Sequence, residues 1–273
     1  MSAYVLHLVS DSTGETLSVA ANAALSQFED PKVKRRMHVF VRSPKDVERV
    51  LEDVEKHPGA VVYTLLDQSL CARLEEGCRK LGAPTVPLLK PLFALLEQAL
   101  GPARRLRPGK QYETDRSYFD RVAAIEYAMS HDDGAVGDRL RRADVILLGV
   151  SRTSKTPTCL YLAVRGVKAA NVPLVPGRPL PPELEQAIAE GVPAIGLTAS
   201  PNRLAQIRGQ RLRAIGGEGG DGYADPERIR EEVSQALLTF QRLGVPVIDV
   251  TRRSIEETAA SIMAELRARG RAE

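Results

Sequence analysis

The sequence predicts an α/β protein made of two parallel-sheet units. Short apolar runs of strand length alternate with longer amphipathic stretches, a segment rich in Pro, Gly and basic residues interrupts them, and the alternation then restarts. Strands separated by segments of helical length imply right-handed crossovers and therefore parallel pairing. The length of 273 residues exceeds the usual span of one domain, in keeping with two modest ones.

YVLHLV (4–9) reads as the first strand, followed by a helix over 15–28. MHVFV (37–41) reads as the second, followed by a helix started by Pro44. AVVYTLL (60–66) leads to a helix around 69–81, and TVPLL (85–89) to one over 91–100. GPARRLRPGKQY (101–112) breaks the pattern and reads as a linker, either a solvated loop or a basic rim for an anionic ligand. A long helix over 115–130 ends in HDDG (131–134). DVILLGV (144–150), NVPLV (171–175), VPAIGL (192–197) and VPVIDV (245–250) are the strands of the second half. Helices are expected between and after them at 157–165, 181–190, 200–214, 226–243 and 254–269. The expected organisation is a Rossmann-like parallel-sheet unit at 1–112, a connecting helix and turn at 113–140, and a P-loop-type α/β unit at 141–273.

Composition excludes several classes. Hydrophobic residues make up 43% and charged residues 27%, as in ordinary globular proteins rather than disordered chains. Lys plus Arg (38) nearly balances Asp plus Glu (35), which does not mark a nucleic-acid binder. Cys71, Cys78 and Cys159 form no CxxC, and His7, His38, His57 and His131 are far apart in the chain. Reduced, buried thiols are therefore expected and a zinc site is not. No apolar run is long enough to span a bilayer, and the N-terminus lacks a basic leader, so the expectation is a cytoplasmic protein with no membrane partner.

The strongest local pattern is GVSRTSKT: Gly149, Val150, Ser151, Arg152, Thr153, Ser154, Lys155 and Thr156. It lies between an apolar strand and a helix, where a phosphate loop sits. Backbone N–H groups of such a loop curl around phosphate oxygens, the Lys neutralises charge, and the hydroxyl after it can reach Mg²⁺. Ser154 stands where the usual template has glycine. Serine tolerates positive φ poorly, so a differently curled loop is expected. Pro157 suits a helix start, whose unpaired N–H groups favour anions. The plainer reading is a polar turn capping a helix. Asp249, at the end of VPVIDV, can hold a metal as a strand-end carboxylate does, or simply form a turn.

SDSTGET (10–16) repeats the logic after the first strand, with Asp11 in the position from which a first βα turn presents ligands. It reads equally as a helix cap. In HDDG, Asp132 and Asp133 are candidates to take a proton from an attacking hydroxyl, or to form a turn. RLAQIRGQRLR (203–213) and the Gly-rich GGEGGDG (216–222) read either as a basic lid over a phosphate or as a solvated helix and loop.

Five blocks taken together resemble one family. SDSTGET, IEYAMSHDDG, GVSRTSKTPTCLYLA, ANVPLVPG and GLTASPNRLAQIRGQRL are similar, in order, to blocks of the pyruvate, phosphate dikinase regulatory protein family. The resemblance implies a bifunctional serine/threonine kinase and phosphorylase. Such a protein inactivates a dikinase by phosphorylating a threonine with ADP as donor. It reverses this with inorganic phosphate, releasing pyrophosphate. It further implies ADP on the loop from Gly149 to Thr156, with Asp11, Asp132 and Asp133 in family motifs. A homodimer follows by analogy. A sister branch acts on phosphoenolpyruvate synthase; SDSTGET is closer to the dikinase branch, HDDG to the sister branch, and 216–222 departs from the family pattern.

On this reading Lys155 and the loop hold the β-phosphate of ADP, Thr156 and Mg²⁺ stabilise charge, and Asp132 or Asp133 orients the target hydroxyl. Inorganic phosphate then occupies the same cradle in reverse. A small-molecule P-loop kinase and a non-catalytic nucleotide sensor are the competing classes.

Overall fold

The computed structural model describes residues 4–101, 108–109, 116–130, 138–214 and 222–270. The chain divides into two compact units, 1–113 and 114–273. The linker at 101–112 falls almost wholly outside the described residues, as does all of HDDG.

The first unit comprises β1 (Tyr4–Ser10), α1 (Glu15–Leu25), β2 (Val33–His38), α2 (Pro44–Lys56), β3 (Gly59–Thr64), α3 (Gln68–Lys80), β4 (Thr85–Pro87) and α4 (Lys90–Leu100). Its four parallel strands run in the order β2-β1-β3-β4. Successive residues of β1 point to opposite faces, so Val9 joins a core with Val47, Val50, Val54, Val61 and Leu74. Leu8 packs with Leu17 and Ala21 on the other side. Helix α2 shows why the local sequence folds as it does. Ser43 and Asp46 form a capping box, Pro44 opens the first turn, and Val47, Val50 and Val54 share the buried face.

β2 differs from the expected 37–41. It spans Val33–His38, an edge strand carrying Lys34, Arg35 and Arg36, and the apolar run MHVFV mostly follows it. Past the strand, Phe40 takes φ 54° and its N–H reaches Ser12 O (3.1 Å), while Val41 N–H reaches Ser10 O (3.0 Å). An edge strand needs no continuous apolar face, and its exit was recruited to brace the loop after β1.

The second unit contains α5 (Arg116–Ser130), a 3₁₀ turn (Asp138–Arg142), β5 (Val145–Gly149), α6 (Lys155–Ala163), β6 (Ala169–Pro173) and α7 (Pro182–Ala189). It continues with β7 (Ala194–Thr198), α8 (Pro201–Ala214), α9 (Pro226–Leu243), β8 (Val247–Asp249) and α10 (Ile255–Ala268). The strand order β6-β5-β7-β8 is that of the first unit. Helix α5, expected as a connector, packs on α6 and β6. All five residues of β5 are buried, as befits a central parallel strand covered on both faces. Among the described residues no helix is long and apolar enough to cross a membrane.

The histidines distant in sequence meet in the first unit. His7 is fully buried; its Nε2 faces His57 O at 2.9 Å, and its Nδ1 faces His38 Nε2 at 3.1 Å. A carbonyl only accepts, so Nε2 carries the proton and His38 donates to His7 Nδ1. Asp53 lies 3.7 Å from His7 and 3.5 Å from His38, and is held by two hydrogen bonds from Arg36. His7, His38 and Asp53 are close enough to share an ion, but the direct His7–His38 hydrogen bond engages the two nitrogens it would use. The thiols are free, Cys78 and Cys159 buried and Cys71 partly so.

This network makes the first unit pH-sensitive. Burial, with His7 beside it, holds the His38 imidazole below its ordinary value, against the pull of Asp53. The unfolded chain takes up a proton near pH 6.5 while the folded one resists it, so stability falls as pH drops through that value. The expected slope is at most about 1.4 kcal/mol per pH unit for the one proton. The Arg36-bound Asp53 carboxylate, held below its usual range, adds its own loss only at more acid pH. Urea unfolding of His38→Gln between pH 7.5 and 5.5 should show a flatter dependence than the unaltered chain; equal slopes would refute the assignment.

Candidate phosphate-binding site

The loop from Gly149 to Lys155 joins β5 to α6 at the carboxyl end of the sheet. β5 feeds β6 on one side and lies against β7 on the other, so the loop emerges at the point where the strand order reverses. Ligands of open parallel sheets bind at such points. Gly149 is required by its neighbours. A Cβ there would lie 2.5 Å from Leu197 O and 2.7 Å from Thr153 Oγ1.

Ser154 does not redirect the loop. It takes φ 59° and ψ 22°, the left-handed conformation a glycine would supply, and α6 starts directly after it at Lys155, earlier than expected. Arg152 is also left-handed, at φ 75°. Two such non-glycine residues cost roughly 1–3 kcal/mol each, strain of the sort that concentrates at ligand sites.

Lys155 is 6% exposed, and its Nζ donates to Val150 O at 2.9 Å. The same carbonyl accepts from Thr153 Oγ1 at 3.0 Å. Asn171 on β6 donates to Thr156 Oγ1 at 3.0 Å and so orients that hydroxyl. From below, Arg208 on α8 donates to Ser151 O at 3.1 Å while paired with Glu232 on α9 at 2.7 and 3.2 Å. Tyr223 completes the support: its hydroxyl shares a 3.0 Å hydrogen bond with Ser151, and its ring lies 4.9 Å from the Arg208 guanidinium. The loop is thus a strained, braced turn with a buried ammonium at a helix N-terminus.

The sequence of the 203–213 helix suggests a basic lid or a solvated face. Arg208 is neither: it is 1% exposed and bound to Glu232 beneath the loop, whereas Arg203 and Arg211 are exposed. The expected lid at 216–222 lies outside the described residues except for Gly222. Asp132 and Asp133 lie outside them as well. Asp249 is separated from β5 by β7, and its carboxylate accepts the Thr251 N–H (2.8 Å) and hydroxyl. That hydrogen bonding, chiefly with the hydroxyl, holds its carboxyl below the usual range. It is occupied in forming a turn.

The first unit carries a matching loop. Thr13-Gly14-Glu15-Thr16 corresponds to Thr153-Ser154-Lys155-Thr156, with Gly14 at φ 78° and α1 starting at Glu15. Asp11 is buried, accepts the Leu66 N–H at 2.9 Å, and its own carbonyl accepts Arg42 Nε at 2.7 Å. Burial pushes its carboxyl up, against the Leu66 hydrogen bond and the Arg42 charge. The second loop thus places Lys155 where the first has Glu15. One topology carries an acidic loop and a basic loop.

Fold and site define a parallel α/β protein with a strand–loop–helix suited to phosphate. The chain belongs to the kinase/pyrophosphorylase family, whose profile matches residues 6–263. It is 49% identical over 263 residues to a protein of Paramagnetospirillum magneticum, covering 96% of this chain and 84% of that one. It is 48% identical to a Caulobacter vibrioides protein, covering 94% and 81% of the two chains, and 45% identical to one of Rhodospirillum rubrum, covering 97% and 96%. All three carry the name pyruvate, phosphate dikinase regulatory protein.

Proposed function

We propose that the chain regulates pyruvate, phosphate dikinase by two opposed reactions on one threonine. The first transfers the β-phosphoryl group of ADP to the hydroxyl and releases AMP. The second transfers the phosphoryl group from the threonine to inorganic phosphate and releases pyrophosphate. The observation that carries the reading is the braced loop with Lys155 buried at the start of α6. The family match and the names of the relatives support this reaction class and this target, and those names favour this dikinase over phosphoenolpyruvate synthase.

In this scheme the loop N–H groups and Lys155 hold the β-phosphate, where positioning and charge supply most of the catalysis. A groove of about 490 Å³ beside Val150, between residues 173–181 and α9, has room for the nucleoside. Thr156, oriented by Asn171, is the residue we assign to Mg²⁺, which would neutralise phosphate charge; we assign no metal role to Asp249. Asp132 or Asp133 orients the target hydroxyl.

Incubation with purified dikinase and β-labelled ADP tests the scheme. Label on a threonine, released as pyrophosphate when phosphate is added, is the expected result. Label only from γ-labelled ATP indicates a conventional kinase. ADP binding without transfer indicates a sensor.

A further inference from the structure

A second basic feature adjoins the loop and is not used by the scheme above. A hollow of about 260 Å³ opens at the carboxyl ends of β5, β7 and β8. Arg152 and Ser154 of the loop form one side, Arg203 at the start of α8 another, and Arg252 and Arg253 before α10 a third. Among the described residues no carboxylate lines it. Among the described residues none of these four arginines forms an ion pair, although Arg36, Arg73, Arg208 and Arg242 elsewhere all do. The hydrogen bonds of Arg203 and Arg253 go to neutral partners, Gln206 (3.0 Å) and Ser261 (2.8 Å).

The walls are held in place. Ser200 N–H donates to Thr251 Oγ1 at 2.8 Å, Val250 N–H to Thr198 O at 2.8 Å, and Asp249 anchors Thr251. The segment bearing Arg252 and Arg253 is thereby tied to the end of β7. Four guanidinium groups around one hollow repel each other, with the Asp249 charge offsetting only part of that of Arg253, and a multivalent oxyanion relieves that repulsion while accepting from their forked donors. The hollow also lies at the reversal of strand order, between the loops that follow β5 and β7.

We propose that this hollow is a second anion site, adjoining the nucleotide cradle and sharing the loop wall with it, that binds a phosphate dianion. The ligand is either inorganic phosphate or the phosphoryl group of a phosphorylated threonine side chain, which present the same tetrahedral oxygens. The proposal rests on the loop being the ADP cradle. It replaces a single anion position shared by both reactions with two neighbouring ones. Arg152 and Ser154 belong to the loop as well as to the hollow, so a phosphate bound there lies beside the one bound in the cradle.

Calorimetric titration of the full chain tests this, with inorganic phosphate and with a phosphothreonine peptide as separate probes, each with and without saturating ADP. Phosphate should bind in the presence of ADP. The double variant Arg252→Gln, Arg253→Gln should weaken binding of at least one probe by about 10-fold or more. It should leave ADP affinity within about twofold. Loss of one probe alone identifies the source of the dianion; loss of both shows that the hollow accepts either. Displacement of phosphate by ADP, or unchanged binding of both probes in the double variant, overturns the proposal. Arg203→Gln provides an independent variant should the double one not fold. If the unaltered chain binds no ADP, the cradle reading fails, while the phosphate titration without ADP still tests the hollow.

Discussion

Lys155→Met lowers both phosphorylation by ADP and phosphorolysis about 100-fold to 1,000-fold while leaving the fold intact. Methionine has a similar reach and no charge, so it fills the 6%-exposed site without burying an ion. The change removes the ammonium that the proposed scheme assigns to the β-phosphate, together with its hydrogen bond to Val150 O. Loss of one group stabilising developing charge in a water-poor site has about this effect on rate. In the proposed scheme both reactions move a phosphoryl group at the loop that carries Lys155, so both rates fall together. Steady-state assays of the two reactions, with thermal unfolding as a control, decide the matter. Either activity surviving within a few-fold of the unaltered enzyme would exclude the role assigned to Lys155.

Arg208→Leu destabilises the second unit by about 3–5 kcal/mol, because it leaves the Glu232 carboxylate without its partner in a largely buried position. It also removes the donors to Ser151 O and Tyr223 O, and hence the brace under the loop. Among the described residues Arg208 Nε has no hydrogen-bond partner, so the pair is not optimal for stability. The double variant Arg208→Leu, Glu232→Leu therefore recovers most of the stability but not the activity. Denaturant titration and the transfer assay together separate the two contributions. A single variant costing less than about 1 kcal/mol would show that the buried pair is not the brace described.

Much of the architecture was legible because period and punctuation agree along the chain. The helix at 226–243 was bounded to the residue, with Asp225 capping its start and Gly244 at φ 64° ending it. Gly149, Lys155 and Thr156 stood out because a phosphate loop is a local object, with its donors contiguous in the chain. β2 was displaced because its apolar run reflects bracing of a neighbouring loop rather than strand pairing. Arg208 was misread because a helical arginine is usually solvated; only the placement of Glu232 on α9 makes its burial tolerable. The likeness of the two loops was legible from their place after a strand, but that Ser154 takes the left-handed conformation of Gly14 was not, because sequence rules reserve that position for glycine.

By itself the sequence determined the α/β class, the order of the strands and helices, and the loop that ends in Lys155 and Thr156. These rest on periodicities of two and 3.6 residues and on short-range caps and turns, which neighbouring residues settle among themselves. Tertiary structure alone decided the rest: the His7–His38–Asp53 network, the Arg208–Glu232 brace and the hollow ringed by Arg152, Arg203, Arg252 and Arg253. Each joins side chains far apart in the chain, and crossover connections choose which strand ends and loops become neighbours. Charge and burial at these places follow from that choice, and no local pattern records it.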